Sequence, residues 1–110
     1  MIWHVVLFRP RGDLSDADRQ SLVRAFENAL RTIPSIVRAH VGRRVMHGRG
    51  YEQSMTVDYE YAAIIEFEDL SALKAYLQHP AHEQLATRFF AAFETALMYD
   101  YEMEEGSAPG

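Results

Sequence analysis

The residues best equipped for chemistry lie together in Ala75-Tyr-Leu-Gln-His-Pro-Ala-His82, a run of eight that holds a phenol and two imidazoles. Pro80 decides how they are arranged. Its fixed φ and missing N–H suit the first position of a helix and push the residue before it out of the α region. The run therefore predicts one helix over Asp69 to Leu77, a cap at His79, and a second helix from Pro80. His82 falls in the first turn of that second helix, where aligned peptide dipoles disfavour an imidazolium. It shares a helical face with Leu85, Phe89 and Phe93, and is expected to point inward. A neutral imidazole beside the Tyr76 phenol can take a proton from a carbon next to a carbonyl while the phenol holds the carbonyl oxygen, or it can orient a bound ligand. The same pair would equally serve as a buried hydrogen bond locking the helix junction, because buried polar groups need partners whatever their role.

The other candidates read more plainly. His4 sits mid-strand among apolar neighbours, which fits either a core histidine with a satisfied hydrogen bond or a pocket group. His79 is expected to cap the helix with its ring exposed. It precedes the helix that carries His82, so the two rings should diverge. With no His-Glu-x-x-His and no dense carboxylate set, no metal site is expected. The chain has no cysteine, which excludes disulfides and thiolate chemistry. Gly48-Arg-Gly50 lacks the strand-to-helix setting of a phosphate loop, and no cofactor is expected. Arg38, Arg43, Arg44 and Arg49 cluster in sequence and read as a solvated strand end and loop in preference to an anion site. A net charge of −5 over 110 residues argues against nucleic acid as a partner.

These residues need elements to position them. Ile2 to Phe8 is β-branched and aromatic, and apolar on both faces. Arg9-Pro-Arg-Gly-Asp13 reads as a turn. Ser15 opens a helix with Asp18 at capping-box spacing, and Leu22, Ala25, Phe26, Ala29, Leu30 and Ile33 give its apolar face until Pro34 ends it. Ile36 to about Met46 reads as a strand, with Gly42 marking a bend or bulge. His47 to Ser54 is the longest irregular stretch and the candidate mobile loop. Val57 to Phe67 is a third strand and Ala96 to Tyr101 a fourth. Met103 to Gly110 reads as a frayed tail beyond a domain over residues 1–103.

The order β-α-β-β-α-α-β predicts an α+β domain, a ferredoxin-like split β-α-β with a four-stranded antiparallel sheet and helices on one face. Strands that are apolar front and back then leave one sheet face exposed, larger than a monomer usually tolerates. Two copies packing those faces together as a homodimer would cover it. No run approaches membrane-spanning length, and a strand beginning at Ile2 leaves no room for a signal peptide, so the expected setting is cytoplasmic with no membrane partner.

The start His4-Val-Val-Leu-Phe-Arg9, the stretch Phe67-Glu-Asp69 leading into Ala75–His82, and the ending Leu97-Met-Tyr-Asp-Tyr101 resemble the stress-responsive α/β-barrel (Dabb) family over all but the tail. The resemblance implies a dimeric α+β barrel. The best-defined enzymes of that family are plant polyketide cyclases, in which a histidine and a tyrosine promote aldol ring closure of a poly-β-keto chain. Tyr76 and His82 match that motif, with His4 as a further pocket residue, whereas Arg43-Arg44 and the His47–Ser54 loop match no cyclase feature. The expected protein is a homodimer binding a small, largely apolar, carbonyl-bearing molecule, with Tyr76, His82 and His4 at the polar end of a barrel cavity. Two alternatives stand beside it. One is a cofactor-free cyclase, lyase or isomerase with His82 as base and Tyr76 as carbonyl donor; the other is a non-catalytic structural stress protein.

Overall fold

Local chemistry sets most element boundaries. In a computed structural model that describes residues 1–104, strand β1 runs over Ile2–Pro10. Helix α1, Asp16–Thr32, is capped by the Ser15 hydroxyl, which accepts the Asp18 N–H at 3.1 Å, and Asp16 and Asp18 complement its dipole. Strand β2 is Arg38–Arg43 and a single turn, α2, is Tyr51–Ser54. Strand β3 is Tyr61–Phe67 and helix α3 Leu70–Gln78, the latter capped by the Asp69 carboxylate on the Ala72 N–H at 2.8 Å. Helix α4, Pro80–Ala92, starts on the proline as its sequence requires, and β4 is Phe93–Glu102.

Several boundaries differ from the sequence expectations. The third strand begins at Tyr61 rather than Val57, and the second is confined to Arg38–Arg43. Phe93 is not on the helical face of His82; it is already extended (φ −96°, ψ 149°) and pairs with Pro10. No glycine or proline marks that helix end, so strand pairing alone decides it. Gly42 lies in regular register opposite Ala62. The shift in pairing falls at Arg9/Pro10, where proline has no N–H to give. The His47–Ser54 stretch is not featureless: the Glu52 carboxylate accepts the His47 and Gly48 N–H groups at 2.9 and 2.7 Å, with Gly48 at φ +86° turning the chain. The tail expected beyond Met103 lies, from residue 105, outside the described residues, while the Met103 N–H itself bonds the Met1 carbonyl at 2.9 Å.

The strands form one antiparallel sheet in the order β2-β3-β1-β4, the ferredoxin-like arrangement. Directly paired residues share a face. Ile2, His4, Val6 and Phe8 therefore stand beside Phe67, Ile65, Ala63 and Tyr61, toward the helices. There Phe67 (0% exposed) and Ile65 pack with Ala29 and Ile33 of the α1 end and with Leu73, Tyr76, Ala81 and Leu85 of α3 and α4.

The opposite face carries no helix. Register arranges it in three rows from β2 to β4: Arg38, Glu66, Trp3, Tyr101; then His40, Ile64, Val5, Tyr99; then Gly42, Ala62, Leu7, Leu97. Leu97, Tyr99 and Tyr101 are exposed. Its charge lies at two ends: Glu66 meets His40 Nε2 at 3.0 Å and Arg38 Nε at 3.4 Å, and beyond the third row Arg9, paired with Thr95, meets Glu94 Oε2 at 3.1 Å. Among the described residues no helix is long and apolar enough to cross a membrane.

Candidate active site

Alternation along β1 sends His4 to the helix side, and register sets it opposite Asp100 of β4. His4 Nδ1 and Asp100 Oδ1 are 2.6 Å apart, so Nδ1–H donates to the carboxylate and Nε2 is left for another partner. His4 is only 8% exposed. Above it, the α3–α4 junction places Tyr76 and His82. The Tyr76 ring lies 5.9 Å from the His4 ring and 4.6 Å from that of His82, in an edge-on arrangement, with Phe67 behind it at 5.2 Å. The three residues named from sequence are thus brought together, and His82 turns inward, half-buried.

The environments of the pair are opposed in a useful way. Burial pushes the Tyr76 phenol up to about 12, so it stays a hydrogen-bond donor at any physiological pH. His82 is held below its ordinary value, first by burial and then by the like charge of His4, against weaker opposing effects of the Leu77 backbone and Glu83. The leading cause is burial, not the helix dipole expected from its place in the first turn of α4. Among the described residues no protein group hydrogen-bonds the Tyr76 hydroxyl, and the one fully enclosed side-chain polar atom without a partner is Ser35 Oγ. The Tyr76 oxygen therefore keeps access to whatever enters. On the edge strand beside the cluster, Met98 and Asp100 share the helix-side face with Val6 and His4, and both are exposed.

Asp100 was missed from sequence. Its signal was a carboxylate in the otherwise apolar and aromatic run Ala96-Leu-Met-Tyr-Asp-Tyr101. His79 does not join the cluster. Its Nδ1 accepts the Ala81 N–H at 3.0 Å, which caps α4 as expected but draws the ring to half-burial instead of leaving it exposed. Among the described residues no three His, Asp or Glu side chains converge as metal ligands. The grooves of about 420 and 270 Å³ on the surface are lined by other residues, and neither includes Tyr76, His82 or His4.

Tyr76 has a consequence for stability. Its folded value lies above the unfolded one, so the native state holds the proton longer. This stability is complete below pH 10 and is lost as pH rises toward 12. At about 1.4 kcal/mol per unit the loss approaches about 3 kcal/mol. Urea unfolding from pH 9 to 12 should show it in the wild type and not in Tyr76→Phe; an equal alkaline loss in the variant would contradict the assignment.

A ferredoxin-like domain with this cluster defines a class, and comparison gives the family. Residues 2–103 match the stress responsive A/B barrel domain, and the chain belongs to that family. Among particular proteins, it is 19% identical over 98 residues to olivetolic acid cyclase of Cannabis sativa, covering 89% of this chain and 92% of that one. Its fold is similar to that of the hydroxynitrile lyase of Passiflora edulis (TM-score 0.80, 17% identity, covering 97% of this chain and 96% of that one). It is also similar to a dimeric ferredoxin-like protein from Thermobifida fusca (TM-score 0.72, 17% identity, covering 93% and 90%).

Proposed function

We propose that the chain is a homodimer that binds a small, largely apolar, carbonyl-bearing molecule against Tyr76, His82 and His4, and moves a proton beside that carbonyl without a cofactor. The observation that carries this is a buried phenol with no protein partner among the described residues, 4.6 Å ring to ring from an imidazole kept uncharged. Tyr76 donates its O–H to the carbonyl oxygen and stabilises the charge that develops there. Neutral His82 takes the proton from the adjacent carbon and returns it after bond formation or cleavage. His4, fixed by Asp100, offers Nε2 to a second polar group of the ligand. Relatives named as a cyclase and a hydroxynitrile lyase support a reactive rather than a merely packed cluster. Mass spectrometry of the purified protein tests the reading: a retained carbonyl compound that is lost in Tyr76→Phe supports it. An empty protein, inert toward 1,3-dicarbonyl probes, would favour a structural stress protein instead.

The second copy is argued from the open sheet face, and a solved neighbour described as dimeric supports it. A two-fold axis along the strands would set β2 against the partner's β4. Gly42 and Ala62 then face leucines (Leu97 and Leu7), small against large, and the Arg38–His40–Glu66 corner meets phenols and an indole that can hydrogen-bond it. An axis across the strands would instead bury that corner on Gly42 and Ala62. The chain has no cysteine, and a Cβ at Gly42 meets nothing within 4 Å. A Gly42→Cys/Leu97→Cys variant treated with a short bis-maleimide should run as a covalent dimer on a denaturing gel. A dimer in solution that gives no such product would contradict this axis, and a monomer at micromolar concentration would contradict the dimer.

A further inference from the structure

The groove between the end of β2 and the chain entering β3 has no part in the site above. It encloses about 420 Å³ and is lined by Arg43, Arg44, Met46, Asp58, Glu60 and Tyr61. Its two arginines are differently engaged. Arg44 Nη1 donates to Asp58 Oδ1 at 2.8 Å, which neutralises its charge and ties the two walls together. Arg43 takes part in no ion pair among the described residues. Its guanidinium lies over the Tyr61 ring, 5.5 Å from the centroid. Tyr61 is held in turn by Phe8, stacked at 5.4 Å, and Phe8 by Phe89, edge-on at 5.2 Å. A guanidinium drawn to a ring face by its charge still has N–H donors for other partners. The result is a positioned fork with its donors unused, and positioning removes part of the entropy cost of binding an anion.

We propose that this groove binds a monocarboxylate with an apolar body, Arg43 gripping the carboxylate through two N–H donors while Met46 and the edge of Tyr61 cover the body. A planar carboxylate matches the fork bidentately. The other charges select for a single negative charge: Glu60 has no ion-pair partner among the described residues and Asp58 lies on the same lining, so a phosphate dianion meets repulsion that a monoanion largely avoids. Tyr61 pairs with Phe8, four residues along β1 from His4. At the rise of a strand that is about 13 Å away. The groove is therefore a separate site, and its assignment stands or falls independently of proton transfer at His82.

Benzoate titrated into the full chain and followed by ¹H–¹⁵N NMR tests this, with benzamide as neutral isostere and phenyl phosphate as dianion. Benzoate should shift the Arg43 side-chain N–H, Met46 and Tyr61 signals, and benzamide should bind about tenfold more weakly or worse. Arg43→Gln should weaken benzoate by about tenfold or more with an unchanged melting temperature, since the side chain is exposed. Glu60→Gln should narrow the gap between phenyl phosphate and benzoate. Equal binding of benzamide, an unaffected Arg43→Gln, no saturable benzoate binding, or shifts confined to His4, Tyr76 and His82 would each overturn the proposal.

Discussion

Alanine at position 82 should slow exchange of the α-protons of a 1,3-dicarbonyl probe into D₂O by about 10²–10⁴-fold, the usual contribution of a positioned general base. Tyr76→Phe should slow it by about 10²–10³-fold, as for loss of one donor to a developing oxyanion. The two effects have different origins. Removing the imidazole takes away the only group of the pair that accepts a proton at neutral pH, because burial and His4 keep it uncharged. Removing the phenol leaves the base in place but strips the charge developing on the carbonyl oxygen of its donor, in a site where the Tyr76 hydroxyl has no competing protein partner among the described residues. Neither change should unfold the chain. Alanine is a good helix former in the first turn of α4, and Phe retains the ring that packs on Phe67 at 5.2 Å. The rate of signal loss for 2,4-pentanedione at pH 7, compared among folded variants, reads the effect directly. Wild-type rates in both variants would remove the chemistry from these residues.

The largest effect on stability should come from Phe67→Ala. Phe67 is the largest fully enclosed side chain and ends the β3 face that supports Tyr76. Truncating a buried Phe to Ala costs about 3–5 kcal/mol, through lost transfer energy and the cavity left behind. Domains of this size have roughly 5–15 kcal/mol in all, so the variant should be close to unfolding at 37 °C. Urea denaturation at constant slope measures it. A loss below about 1 kcal/mol would mean that the site collapses around the gap, which the packing of Ile65, Leu73 and Tyr76 about Phe67 argues against.

Much of this was legible in the sequence wherever a residue type forces one backbone outcome. Pro80 fixed the α3–α4 junction, and Ser15 and Asp69 capped their helices. The junction brings Tyr76 and His82 together, whereas a strand apolar on both faces left open which side His4 would take, and the sheet register decides it. What sequence could not supply was pairing across the chain. Asp100 becomes a partner of His4 only through the β1–β4 register, a contact between residues 96 positions apart. The same nonlocal pairing, not any local stop signal, turns Phe93 into the first residue of a strand. The His47–Ser54 stretch looked featureless because its order comes from one side chain, Glu52, reaching back to two backbone N–H groups. The depressed basicity of His82 was expected from its helix position, but its leading cause is burial, which a helix pattern alone does not reveal.

The central claim, that an uncharged imidazole and a protonated phenol act together on a carbonyl compound, is tested most directly by the pH dependence of α-proton exchange in the wild-type protein. The acid limb should have its midpoint below pH 6.5, followed by a plateau through neutral pH, where the Tyr76 phenol keeps its proton. A midpoint at or above 6.5, or an acid limb that persists unchanged in His82→Gln, would contradict it.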